Sequence, residues 1–229
     1  MDLRTLFSMY DMELSNKQIE MFEKYKELLL EYNKMFNLTT ITDDEQINIK
    51  HFLDSCLGLE YIAKNSRVVD IGSGAGFPAI PLKILDPTLS ICMLDSLNKR
   101  VNFLKVVIES LELKDITCFH SRAEEHVGQN RGHYDVVVAR AVSSLPALLE
   151  YSLPLLRAGG RLIAYKGDKA AAEIELSTNA LLVLGAEVEK LEEFVLPSGE
   201  KRSFIIVKKV GKTPGKYPRK QNKAKVSPL

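Results

Sequence analysis

In the stretch Val68-Val69-Asp70-Ile71-Gly72-Ser73-Gly74-Ala75-Gly76-Phe77-Pro78, an apolar β-branched run leads into three glycines at alternate positions. The run from Val68 to Ile71 predicts a strand that is buried on both faces. The glycines permit left-handed backbone and leave no Cβ that would keep a ligand off the main chain. Pro78 and Pro81 suit the first turn of a helix, where a missing N–H is no loss. The stretch therefore predicts a strand, a ligand-binding turn and the start of a helix.

The glycine turn fits two kinds of ligand, depending on the frame in which it is read. From Gly74, the run to Ala79 matches the G-x-G-x-x-A version of the dinucleotide fingerprint. From Asp70, the pattern is D-x-G-x-G-x-G, which resembles the first motif of class I methyltransferases that use S-adenosylmethionine. An acidic Asp70 at the end of a strand suits the ammonium of that ligand better than a pyrophosphate. The turn alone leaves both ligands open.

Polar residues follow the next two predicted strands. Asp95 closes the strand from Ser90 to Leu94, at a distance from the glycines where a carboxylate can accept from both ribose hydroxyls of an adenosine, with Ser96 beside it. Both ligand frames predict this acid, and it could also cap the helix that follows. Ala123 and Glu124 come after the third strand and should flank the adenine, because the strand ends of an open α/β sheet meet one crevice.

Two cations end later predicted strands. Arg140 closes the strand that begins at Tyr134, and Lys166 closes the strand that begins at Arg161. A charge at the end of a buried strand is costly unless it is bound, so we predict contact with cofactor or substrate. A structural salt bridge is the alternative.

The first 65 residues predict a helical extension. Ser15 with Gln18, and Thr42 with Glu45, form capping boxes at the starts of two helices. On the second helix His51, Asp54 and Ser55 share one side. These three residues predict an acceptor-side functional face, ordinary solvated surface, or a histidine and an aspartate that satisfy each other.

The remaining chain alternates between strand and helix, which predicts right-handed crossovers and a parallel sheet. We expect a helix from Pro146 to Arg157 capped by Gly159-Gly160, and one helix from Ala170 to Leu184. Two late strands around Pro197-Ser198-Gly199 predict an antiparallel hairpin. The predicted fold class is α/β, a doubly wound Rossmann-like sheet over residues 66–210 with the extension at 1–65. From Gly211 onward we predict an extended or disordered basic tail.

Composition and charge limit the possible partners. The 229 residues carry a net charge of +1, but ten of the 31 Lys and Arg residues and none of the 30 acids lie after residue 200. A basic tail on an acidic body predicts a polyanionic partner such as nucleic acid, or else a solubilising tail. Since no apolar run approaches a membrane span, we predict a cytoplasmic protein. The three scattered cysteines predict buried side chains and no metal site.

Several further motifs carry a family resemblance. The supporting segments are Asn37-Leu38-Thr39, Lys50-His51-Phe52-Leu53-Asp54-Ser55, Val69 to Pro81, Asp95-Ser96, Ser121-Arg122-Ala123-Glu124, Ala139-Arg140-Ala141-Val142, Gly159-Gly160 and Tyr217-Pro218-Arg219-Lys220. The chain resembles the GidB (RsmG) family of bacterial small-subunit rRNA methyltransferases across nearly its whole length.

The resemblance implies a class I methyltransferase that uses S-adenosylmethionine and acts on N7 of guanine 527 in 16S rRNA. It implies cofactor contacts at Gly72, Phe77, Ala123, Glu124 and Arg140. Our own interpretation of the residues adds Gly74, Asp95 and Ser96. For positioning the substrate we predict Arg140, Lys166, His51, Asp54 and Ser55, with no residue assigned as a catalytic acid, base or nucleophile. For binding the RNA backbone we predict Lys212, Lys216, Tyr217, Arg219 and Lys220. The expected partner is 16S rRNA or the small ribosomal subunit, bound by a monomer, with no DNA and no membrane.

Three alternatives stay open at this point. The chain could methylate a small molecule or a protein, in which case deletion of residues 211–229 should leave activity unchanged. It could also be a non-catalytic RNA-binding assembly factor that retains a nucleoside pocket. An NAD-dependent oxidoreductase would require a hydride-transfer residue, which the sequence does not offer.

Overall fold

A computed structural model of the protein describes residues 2–220 and 222–229. Its centre is a seven-stranded sheet in the order β3-β2-β1-β4-β5-β7-β6. The strands are β1 Arg67–Ile71, β2 Ser90–Asp95, β3 Ile116–His120, β4 Tyr134–Arg140, β5 Leu156–Lys166, β6 Ala186–Val195 and β7 Lys201–Lys209. Strands β1 to β5 pair in parallel, and β7 pairs antiparallel with both β5 and β6. This arrangement confirms the predicted mostly parallel sheet with an antiparallel hairpin.

Helices precede β1 in the chain and connect most of the strands that follow it. They are α1 Leu3–Ser8, α2 Asn16–Phe36, α3 Asp44–Ile47, α4 Asp54–Leu57, α5 Ala79–Leu85, α6 Asn98–Ser110, α7 Ala123–Asn130, α8 Leu145–Ser152, α9 Ala170–Glu175, α10 Thr178–Leu184 and α11 Lys223–Val226. A π-helical segment, Asn48–Leu53, joins α3 to α4, and a 3₁₀ turn, Gly58–Tyr61, follows α4. Within the described ranges 2–220 and 222–229, no helix combines the length and apolarity needed to span a bilayer.

The central strands are buried on both faces, as the apolar runs predict. Successive residues of β4 alternate between two hydrophobic clusters: Val136 and Val138 pack in the first, Val137 and Ala139 in the second. The first cluster also contains the buried apolar residues of α1 and α2. The N-terminal helices therefore complete the core on one face of the sheet, and the helices after β3 complete it on the other.

Helix starts follow the capping signals closely but not completely. Ser15 and Gln18 form the reciprocal capping box predicted for α2. For α3 the cap is Asp43, whose carboxylate accepts from the backbone N–H of Gln46. The predicted cap at Thr42 is therefore wrong by one residue, because the aspartate next to it supplies the acceptor.

The predicted helix C-cap at Gly159-Gly160 is wrong. Helix α8 ends at Ser152, and both glycines lie inside β5, next to a register shift between β4 and β5. A Cβ on Gly160 would lie 2.9 Å from the carbonyl oxygen of Asp135. Glycine is needed here for close approach of two strands rather than for ending a helix. The single helix predicted from Ala170 to Leu184 is also two helices, α9 and α10.

The described residues of the tail, 211–220 and 222–229, are packed on the protein, in contrast to the predicted extended or disordered arm. Tyr217 and Ala224 are buried, and α11 lies against α8. Arg219 donates from its backbone N–H and from its guanidinium to the carboxylate of Glu150, a side chain with no solvent exposure. The basic composition of the tail predicted a solvated segment. Composition gives no information about a buried acid on a distant helix, such as Glu150, that pairs with the tail.

Candidate active site

The glycine turn after β1 has the conformation that its sequence predicts. Gly72, Gly74 and Gly76 have φ angles of 72°, 60° and 101°. The N–H groups of Gly72 and Ser73 both donate to the carbonyl oxygen of Leu94, at 2.8 and 3.0 Å. The turn is therefore held against the end of β2, with its backbone in a region that only glycine adopts without strain.

Asp95 holds the same turn from the end of β2. One carboxylate oxygen accepts from the N–H of Gly74 and the other from the N–H of Leu97, both at 2.9 Å. The guanidinium of Arg100 lies 3.4 Å away. Asp95 is only 3% exposed but lines a cavity at this edge of the sheet. It fixes the shape of the turn and also presents an acceptor to the cavity.

This first cavity has a volume of about 450 Å³ and lies across the ends of β1, β2 and β3. Five predicted cofactor residues line it, namely Gly72, Asp95, Ser96, Ala123 and Glu124. Three others, Gly74, Phe77 and Arg140, do not. The apolar side chains of Ile71, Leu94 and Val142, which were not predicted as site residues, line the same cavity as the carboxylates of Asp95 and Glu124. Apolar surface for a base with acceptors for hydroxyl and amino groups fits a nucleoside.

Asp70 ends β1 beneath the turn. Its side chain has no solvent exposure, and neither carboxylate oxygen has a hydrogen-bond partner among residues 2–220 and 222–229. Burial raises the pKa of Asp70 to about 8. An orphaned carboxyl below the turn fits a ligand that brings a cationic group to this place.

The raised pKa of Asp70 makes stability depend on pH. Between pH 4 and 8 the unfolded chain loses this proton while the folded chain keeps it, so the group's contribution to stability falls as pH rises. Asp70→Asn removes this titration. We expect the variant to gain on the order of 5 kcal/mol in unfolding free energy relative to wild type between pH 4 and pH 8. Urea unfolding of both proteins at several pH values checks this, and a pH-independent difference would contradict it.

A second cavity, of about 460 Å³, lies beyond the ends of β4 and β5. Four predicted positioning residues line it, namely His51, Asp54, Arg140 and Lys166. Ser55 does not, because its hydroxyl donates to the carbonyl of His51, 2.5 Å away in the helix backbone. All three helix residues from the extension are buried rather than solvated. Since the segment that carries His51 is π-helical, its side chains do not follow the spacing of an α-helix.

Arg140 joins the extension to the sheet at this cavity. Its guanidinium donates to the carbonyl of Lys50 at 2.9 Å and to Asp54 at 3.1 Å, and lies 3.2 Å from Nδ1 of His51. It also lies over the ring of Phe77, 4.9 Å from the centroid. The planar fork of arginine makes these contacts together. Arg140 thus links the side of the second cavity formed by the N-terminal extension to the side formed by the sheet.

His51 is neutral and held in one tautomer. Burial, followed by the charge of Arg140, lowers its pKa to about 3. Because arginine only donates, Nδ1 must be the acceptor, so Nε2–H donates to Thr39 Oγ1 at 2.8 Å. The ring stacks on Phe77, with centroids 4.4 Å apart. Thr39 lies in the Asn37-Leu38-Thr39 motif, which now has a physical role.

Two further cations line the second cavity that sequence reasoning missed. Arg202, on β7, lies 3.6 Å from Asp54, and Lys50 pairs with Glu200 at 2.5 Å. Lys166 pairs with Glu173 at 2.7 Å. Arg202 comes to the site because β7 runs antiparallel to β5, with Ser203 opposite Lys166. Only the strand register could have indicated it.

The loop after β4 separates the two cavities. Ala141 lines the second cavity and its neighbour Val142 lines the first. Ala141 has a φ of 56°, a left-handed conformation that is uncommon for a residue with a Cβ. Two ligands, one in each cavity, would therefore lie on opposite sides of a single peptide segment. No cluster of His, Cys, Asp and Glu in the described chain is placed to hold a metal ion.

The predicted RNA-binding residues of the tail divide by exposure. Lys212, Lys216 and Lys220 are exposed. Tyr217 is buried, and Arg219 is tied to Glu150. The three lysines are therefore available to a phosphate backbone, while the other two residues anchor the tail.

Comparison with known proteins identifies the relatives of this chain. Residues 18–204 match the family model of GidB, described as rRNA small subunit methyltransferase G. The chain is 49% identical over 224 residues to the Ribosomal RNA small subunit methyltransferase G of Acetivibrio thermocellus, with 96% of this chain and 92% of that protein covered. The chain belongs to the GidB family. It is also 46% identical over 230 residues to the protein of that name from Lactobacillus acidophilus, covering 97% and 95%.

Solved structures agree on the fold of this GidB family member. A SAM-dependent O-methyltransferase from Thermotoga maritima aligns with a TM-score of 0.54 at 14% identity, over 81% of this chain and 72% of that chain. TYW2 of M. jannaschii, solved in complex with AdoMet, aligns with a TM-score of 0.55 at 13% identity, over 69% and 76%. The family resemblance and the class I methyltransferase fold drawn from the sequence are both confirmed.

Proposed function

We propose that this protein transfers a methyl group from S-adenosylmethionine to N7 of guanine 527 in 16S rRNA. The observation that carries the proposal is the pair of cavities that share the wall at Ala141 and Val142, one suited to a nucleoside and the other lined by ion-paired cations and a neutral histidine. Family membership supports the methyltransferase activity and the rRNA substrate. The choice of atom and nucleotide comes from the family resemblance and the chemistry below.

The first cavity offers the groups that S-adenosylmethionine needs. When bound, this cofactor supplies an electrophilic methyl group on a sulfonium. Asp95 would accept from the sugar hydroxyls, and Glu124 would accept from the adenine amino group. Asp70 is buried beneath the turn and outside the cavity lining, and it is the carboxyl that would lie below the ammonium. The bare turn at Gly72 lets the ligand approach the main chain.

The second cavity suits an acceptor that carries a lone pair. Guanine N7 has no proton to lose, so transfer requires alignment rather than a general base. His51 is neutral, but the lone pair on its Nδ1 accepts from Arg140, so it serves to hold Arg140 rather than to accept a proton. Lys166 and Arg202 place positive charge where the phosphates of a nucleotide would lie. The expected roles of these residues are binding and orientation.

A methylation assay tests the proposal. Purified protein is incubated with labelled S-adenosylmethionine and bacterial small-subunit rRNA, either deproteinised or within the subunit, and the modified nucleotide is mapped by mass spectrometry. We expect a single 7-methylguanosine. Methylation of a protein or small molecule instead would support the first alternative, and cofactor binding without any transfer to RNA would support an assembly factor.

A further inference from the structure

The end of the chain forms part of the first cavity. Asn222, Lys225 and Val226 line it together with residues of the glycine turn and of α7. Val226 is 82% exposed, an apolar side chain left open at the mouth of this cavity. We call residues 222–229 the C-terminal segment. None of the sequence motifs indicated that this segment would reach the cavity.

Several contacts fix the C-terminal segment in this position. Arg122, at the start of α7, donates to the side-chain oxygen of Asn222 at 2.6 Å. The side chain of Ala224 has no solvent exposure, and the guanidinium of Arg219 donates to the carbonyl of Ser227 at 2.9 Å as well as to Glu150. Because Glu150 is fully buried, the ion pair anchors the segment to α8.

A second observation at the same end of the cavity also indicates a ligand. Tyr151, next to Glu150 on α8, lines the cavity and is 3% exposed. Its hydroxyl has no hydrogen-bond partner within residues 2–220 and 222–229. A buried hydroxyl without a hydrogen-bond partner destabilises the protein, and a ligand with an acceptor at this place would remove that penalty by accepting the hydrogen bond.

The order of the strands indicates which part of a nucleoside ligand would lie at the end of the cavity beside β3 and α7. From β1 through β2 to β3 the cavity passes the glycine turn, then Asp95, then Ala123 and Glu124. A nucleoside whose charged end lies at the turn and whose sugar lies at Asp95 has its base beside β3 and α7. Arg122 and Asn222 meet at that place.

We propose that the C-terminal segment and Tyr151 form the adenine site of the cofactor. The Tyr151 hydroxyl donates to a ring nitrogen of the adenine, and Val226 packs against the face of the ring. The inference rests on the proposed function, which makes S-adenosylmethionine the ligand of this cavity. The basic tail is then a structural part of the cofactor site as well as a candidate RNA contact.

Calorimetric titration with S-adenosylhomocysteine, which keeps the adenine and lacks the reactive methyl, tests the proposal. A chain that ends at Lys220 should bind about tenfold more weakly than wild type, and Tyr151→Phe about three- to tenfold more weakly. Val226→Ser should weaken binding by about threefold. Its matched control is Lys223→Ser, on the same short helix, exposed and outside the cavity lining, with affinity expected within about 1.5-fold of wild type.

A second probe, methylthioadenosine, contains the adenine and sugar but no methionine carboxylate or ammonium. The same variants should weaken its binding by the same factors, since they act on the adenine end. Wild-type affinity for both probes in the shortened chain and in Tyr151→Phe would overturn the inference. Should the shortened chain not fold, the two point variants decide alone, as both leave the ion pair of Glu150 intact. Failure of the wild-type protein to bind either probe would instead refute the proposed cofactor.

Discussion

We expect Arg140→Ala to lower methyl transfer to small-subunit rRNA by at least about 100-fold while S-adenosylhomocysteine binds within about twofold of wild type. Arg140 contacts the second cavity and lies outside the lining of the first. Among residues 2–220 and 222–229, its loss leaves Asp54, which is 3% exposed, with Arg202 as its remaining ion-pair partner, 3.6 Å away. Removing one partner of a buried pair costs about 3 kcal/mol of unfolding free energy.

Arg140→Lys separates charge from geometry in the same experiment. A lysine keeps the cation near Asp54 but cannot reach the Lys50 carbonyl, Asp54 and His51 together, as the arginine fork does. We therefore expect most of the stability to return while methyl transfer stays low. Circular dichroism gives the folded fraction and calorimetry gives the cofactor affinity. A large loss of S-adenosylhomocysteine binding in Arg140→Lys would place Arg140 at the cofactor, as the family resemblance implies.

The parts of the site that sequence predicted are those built from consecutive residues. The strand, the glycine turn and the acid at the end of β2 are local features, and Gly72 and Asp95 lie where their pattern indicated. Local steric rules decide such features, since a left-handed turn requires glycine and a strand end fixes the next side chain.

The parts that sequence missed depend on contacts between distant segments. Arg202 reaches Asp54 through the register of an antiparallel hairpin. Tyr151 and Val226 both line the first cavity, and a buried glutamate on α8 that binds Arg219 holds the tail beside it. The pattern of hydropathy and charge along the chain does not indicate which distant residues pair in this way. The same reason explains why the tail, although rich in lysine, is packed rather than extended.

His51, Asp54 and Ser55 show a third kind of limit. Helical spacing placed the three residues on one side, and the spacing alone favoured a structural role over a functional face. In the structure all three are buried, yet only His51 and Asp54 face the second cavity. The π-helical turn around His51 changes the angular positions, and a serine in a helix can donate to a carbonyl one turn back. Sequence periodicity assumes a regular helix and cannot detect either change.

The glycine turn supplies the second large effect, a loss of stability in Gly76→Ala. A Cβ at Gly76 would lie 2.5 Å from Cδ1 of Ile80 and 2.8 Å from the hydroxyl of Tyr25. That hydroxyl donates to the carbonyl of Ala75, so it cannot move away without losing its bond. The φ of 101° adds backbone strain for any residue with a Cβ. We expect a loss of about 3 kcal/mol in unfolding free energy.

Gly74→Ala is the matched control for this prediction. Gly74 also has a positive φ, of 60°, but the nearest atom to its Cβ would be the carbonyl oxygen of Gly72 at 4.0 Å. The variant should lose only about 1 kcal/mol, the cost of a left-handed alanine. Urea unfolding of both variants at one pH measures the difference. Equal losses would mean that backbone conformation alone explains the glycines, whereas a larger loss at Gly76 would show that packing against Ile80 and Tyr25 requires the third glycine.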